Sequence, residues 1–309
     1  MSAKPSESAG EKRFTGVFTP IATPFTSDDM LDEKALASNI KRWMTTGLTG
    51  LVVLGSNGEA PQLEDDEADR VIEIARAGMR KDRPLIAGTG RESTKATIEA
   101  TRRAADLGAD AALVRTPSFF KAQMTSEVFM RHYAAVADAS PIPVLLYNVT
   151  MYTGVTLPAD AIEQLSAHPN IAGMKESGND ILYIGECVSR TPDDFTVLAG
   201  SASTLFQSLC AGVDGAVLAL AALLPDECID MVRLVRENRI AEARALQRRV
   251  TPLARSIGGG FGISGLKAAL DLVGYAGGPP RPPLRPASKQ TIETIRSQLD
   301  ALGVLPIRA

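Results

Sequence analysis

The chain has 309 residues, 45% hydrophobic and 22% charged, with a formal net charge of −3. That balance suits a globular protein with a sizeable core, and it leaves no basic footprint for nucleic acid or an anionic membrane. A small-molecule role is favoured, and with only two histidines, His132 and His168, a His-built metal site has few possible ligands, so metal-dependent chemistry is disfavoured.

Residues 1–13 are small and polar, include Glu7 and Glu11, and contain no apolar targeting core, so they read as a loose N-terminal tail. The nearest approach to a membrane span, Gly215 to Leu224, is too short to cross a bilayer. Cys187, Cys210 and Cys228 are odd in number, sit in apolar helical patterns and lack metal-ligand spacing. They read as reduced core or semi-core residues in a cytoplasmic setting.

From Gly16 onward, short apolar runs alternate with amphipathic segments. The runs are Gly16 to Phe18, Gly50 to Leu54, Pro84 to Ala87, Asp110 to Val114, Pro143 to Tyr147, Ile171 to Lys175, Phe195 to Ala199 and Gly215 to Leu218. Each has strand length, and continuous apolar strands suit a parallel sheet covered by helices. Between the second and third runs, Ala68, Val71, Ile72, Ala75 and Met79 form one apolar helical face. Asp65, Asp66 and Glu67 occupy its first turn, where negative charge complements the helix dipole. Ser93 reads as the N-cap of the next helix and Leu107-Gly108 as its stop. Further helices are expected over Thr125 to Ala139 and Pro158 to Ala167.

Eight units, with strand ends about 19 to 33 residues apart from the second onward, predict an α/β fold of the (β/α)8 TIM-barrel type. A doubly wound open sheet is the alternative. The core is expected over residues 14–224. Residues 225–309 then supply the last barrel helix and a C-terminal helical extension, read as Asp226 to Glu237, Ile240 to Ser256, Gly262 to Val273 and Lys289 to Ala301. The proline-rich stretch Gly277 to Pro283 reads as an extended connection.

Active sites of such barrels form at the C-terminal ends of the strands. Lys175 ends the sixth run, Tyr147 ends the fifth, and Gly55-Ser56-Asn57-Gly58-Glu59 follows the second. A lysine at the end of a buried strand is unusual, because desolvation penalises its charged form; a neutral amine attacks carbonyls to form a Schiff base. The Ser56 loop could add a hydroxyl and backbone N–H donors suited to a carboxylate.

Taken in order, Thr23-Pro24-Phe25, Gly55-Ser56-Asn57-Gly58-Glu59, Ala87-Gly88-Thr89-Gly90, Thr116-Pro117, Tyr147-Asn148, Thr153-Gly154 and Gly173-Met174-Lys175-Glu176-Ser177 form a specific series. Through these motifs the chain resembles the pyruvate-dependent class I aldolases of the dihydrodipicolinate synthase/N-acetylneuraminate lyase superfamily, from about Gly16 to Leu272. The resemblance implies a homotetramer built as a dimer of dimers, a 2-oxo acid substrate, and no metal or cofactor beyond a covalent imine at Lys175. It implies that Tyr147 shuttles protons, that Ser56 and Asn57 hold the pyruvyl carboxylate with Ser56 also relaying a proton, and that Tyr152 and Val217 contact substrate.

Departures narrow the expectation. Dihydrodipicolinate synthases usually carry two threonines where this chain has Ser56-Asn57, and an arginine for the aldehyde's carboxylate where it has Tyr152. The positions of the allosteric lysine site in that branch carry Asp65, Glu92, Ala96 and Ser118, so feedback inhibition by lysine is not expected. Gly55 to Glu59, Ser140 to Val144, Phe261 to Lys267 and Gly277-Gly278-Pro279 look most like 4-hydroxy-2-oxoglutarate aldolases, which yield pyruvate and glyoxylate. That is the first expectation. Aldolases or dehydratases of 2-keto-3-deoxy sugar acids, and dihydrodipicolinate synthases, rank behind it. The family's second tyrosine, contributed across a subunit interface, aligns with Phe119, which cannot relay a proton; this is the argument for a fourth reading, a non-catalytic 2-oxo-acid-binding barrel. Phe119 and Phe120 would then serve as apolar interface packing.

Overall fold

The structure, a computed structural model, describes residues 12–305. Eight parallel strands close into a barrel: β1 (Gly16–Pro20), β2 (Gly50–Val53), β3 (Leu85–Gly88), β4 (Ala111–Arg115), β5 (Val144–Asn148), β6 (Ile171–Glu176), β7 (Thr196–Ala199) and β8 (Gly215–Val217). Closure is made by β1 against β8, with Val17 opposite Ala216 and Phe18 opposite Val217. That pairing excludes the open sheet, and the TIM barrel is the fold.

The strands are apolar on both faces because each face meets a different core. Phe18, Val52, Ile86, Leu113, Leu145, Leu198 and Val217 fill the barrel interior. Residues between them, such as Leu51, Val53, Leu146 and Met174, pack outward against the helices. The helix Asp65–Gly78 buries Ala68, Val71, Ile72, Ile74 and Ala75, and Glu64 and Glu67 close a capping box at its start. In the helix Thr94–Asp106 the Ser93 side chain accepts from the N–H of Ala96, and Gly108 takes the left-handed conformation (φ 93°) that ends it.

Beyond β8 come the helices Pro225–Arg236, Ile240–Arg255, Gly262–Leu272 and Lys289–Ala301. Between the last two, the proline-rich connection has no regular element and is pinned to the barrel by Arg281. Its guanidinium grips Glu67 in a two-pronged pair (2.5 and 2.7 Å) and reaches Asp29 (3.0 Å).

Three details differ from expectation. Residues 1–11 of the expected tail, and 306–309 of the extension, lie outside the described residues, but Lys12 and Arg13 are not loose. Lys12 pairs with Asp214 at 2.7 Å, and the Arg13 carbonyl accepts from the Thr196 hydroxyl, because the chain must run under the barrel to enter β1. Cys187 and Cys228 are buried as expected, whereas Cys210 is exposed, standing at the end of the helix Leu205–Cys210 where the apolar face has run out. Strand ends also shift slightly: β3, β4, β5 and β6 each continue one residue past the expected end and β1 two, with Asn148 still pairing with Glu176, while β2 and β8 stop one residue short. Among the described residues no helix is long and apolar enough to cross a membrane.

Candidate active site

A single irregularity sets the direction of Lys175. Val144 lies opposite Ile171, yet the next residue, Leu145, lies opposite Gly173, so β6 carries one extra residue at Ala172. Continued without that bulge, the register would set Met174 beside Tyr147; with it, Tyr147 pairs with Lys175, and Lys175 in turn with Leu198. Residues paired across a parallel sheet share a face, so the slip moves the lysine into the interior and the methionine to the outer core. Gly173 makes this possible: a Cβ there would sit 2.3 Å from the Thr196 carbonyl oxygen.

The result is a compact cluster. Lys175 is 4% exposed, and its Nζ stands 4.4 Å from the centroid of the Tyr147 ring. The Tyr147 hydroxyl lies 3.2 Å from Ser56 Oγ. Ser56 and Asn57 belong to a tight 3-10 turn, Ser56–Gly58, that leaves β2 through Leu54 (φ 56°) and ends at Glu59 (φ 56°). Two non-glycine residues in the left-handed region are costly, and surrounding contacts hold them there. Thr23 donates to the Gly58 carbonyl at 2.8 Å, and the fully buried Glu59 pairs with Lys267 at 2.5 Å. Lys267 also donates to the Pro279 carbonyl (2.8 Å), so the C-terminal helices clamp the Ser56 turn.

Around this cluster lies a cavity of about 210 Å³ lined by Ser56, Asn57, Tyr147, Tyr152, Lys175 and Val217, among others. It is smaller than the ~300–1,000 Å³ of most drug-sized sites and suits a small acid. Val217 forms its apolar floor in the barrel interior. Tyr152, 52% exposed, follows β5 in the short helix Thr150–Thr153; partial burial and the neighbouring Tyr147 raise the pKa of its phenol. Six of the seven residues singled out from the sequence therefore share one cavity. Phe119 does not line it. It is 77% exposed on the loop after β4, edge-on to Phe120 at 5.1 Å, and its N–H donates to Glu92 (2.9 Å), which also pairs with Arg115 (2.7 Å). Neither histidine lines the cavity, and burial pushes His132 down to about 4. Among the described residues no group of three or more His, Cys, Asp or Glu side chains is placed to hold a metal ion.

Several contributing residues were given no role by sequence reasoning, although Asn148 and Glu176 stand within its motifs. Asn148 and Glu176 directly follow Tyr147 and Lys175, so alternation turns them away from the cavity, where Asn148 Nδ2 donates to Glu176 at 2.6 Å. Asn148 Oδ1 accepts from the Leu157 N–H (3.0 Å), so Asn148 ties the segment before the helix Ala159–Ser166 to the end of β6. Burial raises the pKa of Glu176, against the lowering effect of its hydrogen bonds. On the far wall, Asn179 accepts from the Ser201 hydroxyl at 2.6 Å, and Arg255 ends the helix Ile240–Arg255. The hydrogen-bonding type of Asn148 and Glu176, each adjacent to a candidate, was the available signal; for Arg255 it was the glycine run that follows.

A closed (β/α)8 barrel with a lysine, a phenol and a hydroxyl grouped at the strand ends defines an enzyme class built to act on a carbonyl compound through a lysine amine. Residues 13–302 match the model of the Dihydrodipicolinate synthetase family, and the chain belongs to that family. Members are carbon–carbon lyases of the class I aldolase type, and so is this chain. It is 36% identical over 279 residues, 89% of this chain and 93% of the relative, to a 4-hydroxy-tetrahydrodipicolinate synthase from Exiguobacterium sp.. Its fold superposes on dihydrodipicolinate synthase from Thermotoga maritima with a TM-score of 0.90 at 30% identity, covering 94% of this chain and 99% of that one. The chloride-inhibited dihydrodipicolinate synthase of Acinetobacter baumannii, solved with pyruvate, gives 0.90 at 30% identity and covers 95% and 100%.

Proposed function

We propose that the protein forms an imine between Lys175 and the ketone of pyruvate, and makes or breaks a carbon–carbon bond at the methyl carbon of the resulting enamine. The observation that carries this is the bulge at Ala172, which sets a 4%-exposed lysine beside Tyr147 at the barrel mouth. In the condensing direction Lys175 Nζ attacks C2, water leaves, and loss of a methyl proton gives the enamine. The enamine carbon attacks the aldehyde, and Tyr147 supplies a proton to the new alkoxide; in cleavage it takes that proton back. Ser56, 3.2 Å away, relays the proton outward, and Ser56 with Asn57 holds the pyruvyl carboxylate. No metal or added cofactor enters this scheme.

Two readings of the aldehyde follow from different observations. The relatives named 4-hydroxy-tetrahydrodipicolinate synthase support the synthesis of that product, which fits the comparisons at least as well as the aldolase reading placed first from the sequence. Ser56-Asn57 and Tyr152, where synthases usually carry two threonines and an arginine, support cleavage of 4-hydroxy-2-oxoglutarate instead. Side-by-side assays decide: formation of 4-hydroxy-tetrahydrodipicolinate supports the first, and glyoxylate release from 4-hydroxy-2-oxoglutarate the second. A preference for longer hydroxyaldehydes would displace both in favour of a sugar-acid enzyme, and absence of turnover would favour a binding protein. The proposal includes a cytoplasmic homotetramer, for which the exposed pair Phe119 and Phe120 supplies an apolar contact; light scattering on the eluted protein reads its mass.

A further inference from the structure

The cavity around Lys175 is lopsided in charge. Its lining residues include two that carry a positive charge, Lys175 and Arg255, and neither an aspartate nor a glutamate. Once Lys175 is committed to an imine with the ketone, Arg255 is the remaining arginine or lysine in the wall. The pyruvyl carboxylate has its own proposed donors at Ser56 and Asn57, which leaves the arginine without a task in pyruvate binding.

Arg255 also stands apart from the other arginines near the site. Arg115 and Arg91 line the adjoining cavity behind Ser56 and Tyr147, but Arg115 is held by Glu92 (2.7 Å) and Arg91 by Asp65 (3.3 Å). Arg255 is exposed and, among the described residues, has no carboxylate partner within ion-pair distance. Neutralising a helix C-terminus does not explain it. The helix Ile240–Arg255 runs on into a π turn, Ser256–Gly260, whose Ser256 carbonyl is taken by the Phe261 N–H at 2.7 Å. Such turns recur at functional sites, and here Gly258 and Gly259 themselves line the cavity, so the backbone that presents Arg255 is bulkless on the ligand side. A guanidinium offers a planar, two-pronged match to a carboxylate.

We propose that Arg255 binds a second, distal carboxylate of the substrate, so that the enzyme selects 2-oxo dicarboxylates, or aldehydes bearing an acid group, over neutral polyhydroxylated chains. This rests on the imine-forming function proposed above and assigns that site its substrate class. It also gives a structural reason why Tyr152 can stand where synthases usually carry an arginine: the cation enters from the C-terminal helices.

The test compares 2-oxoglutarate with 2-oxopentanoate, equal in chain length but lacking the distal acid, as competitors of pyruvate in borohydride trapping on the full chain. The wild type should favour 2-oxoglutarate by about 10- to 100-fold, the range of a charge-assisted contact, and Arg255→Gln should reduce that preference to near one. The variant should still trap pyruvate alone and keep the wild-type far-UV circular dichroism, which separates a binding role from collapse of the site. A wild type without the preference, a variant that keeps it, or its loss in Arg115→Gln instead would overturn the assignment. If pyruvate is not trapped at all, the imine reading fails, and calorimetric titration of the same two acids still reads Arg255: equal affinities would refute it, and a gap that closes in Arg255→Gln would sustain it.

Discussion

The strand ends and the outer wall of the mouth are built by opposite means. Lys175, Tyr147 and Val217 are fixed by ladders of parallel pairing and are at most 5% exposed, so their mutual geometry follows from register. Met151 and Tyr152 from the short helix after β5, Arg255 from the end of the helix Ile240–Arg255, and Gly258 and Gly259 from the π turn that follows it are all exposed and lie outside the strand ladders. Under the function proposed above, the strand-paired part carries the chemistry and the outer wall the choice of substrate, as expected when a barrel scaffold carries different reactions. Changes at the strand ends should then lower turnover for every substrate, whereas changes on the wall should reorder substrates.

The largest effect belongs to Lys175→Ala. Turnover should fall by on the order of 10⁴-fold or more for every aldehyde, with far-UV circular dichroism unchanged. Equal residual activity on one substrate would break the division between chemistry and choice. Tyr147→Phe, which keeps the ring beside the amine and removes the hydroxyl 3.2 Å from Ser56, should lower kcat by about 10²- to 10³-fold. Pyruvate imine should still be trapped, since the lysine is intact; loss of trapping would give Tyr147 an earlier role than proton transfer.

The third prediction concerns the clamp between the Ser56 turn and the C-terminal helices. Lys267→Met leaves Glu59 buried without its partner and should cost about 3–5 kcal/mol in denaturant titration. Combining it with Glu59→Gln should return part of that loss, because two neutral groups no longer strand a charge. A double variant as unstable as the single one would show that the pair is held by more than its own electrostatics.

The smallest effect is one of pH. The paired guanidinium of Arg281 holds the Glu67 carboxyl below its ordinary value of 4.5, so the unfolded chain binds this proton more readily than the folded one. Stability from the pair is therefore complete above the ordinary carboxylate range and is lost as pH falls through the lowered folded value. Glu67→Gln should cost about 1 kcal/mol at neutral pH and flatten the acid limb of the stability curve. An unchanged acid limb would remove Glu67 from the acid response.

Much of the barrel was legible because its signals are local. Eight apolar runs, the Ser93 cap and the acid-rich first turn at Asp65 to Glu67 each depend on neighbours in the chain, and all eight strands and these helix starts fell where the pattern put them. The bulge at Ala172 was not legible, since Ile171 to Lys175 is apolar on both faces and alternation leaves no trace in such a strand. The motif order singled out Lys175, and the register explains its direction. Arg255 escaped for a related reason: its helix reads as an ordinary surface helix, and its place in the cavity depends on how the C-terminal extension folds back over the mouth. Cys210 was misplaced because a six-residue helix gives too short a pattern to tell its faces apart.

The central claim is a covalent one. Protein incubated with pyruvate and borohydride should gain the mass of a reduced pyruvyl adduct, located by peptide mapping at Lys175 and absent from Lys175→Ala. An unmodified Lys175 in fully active protein, or an adduct on another lysine, would contradict the account.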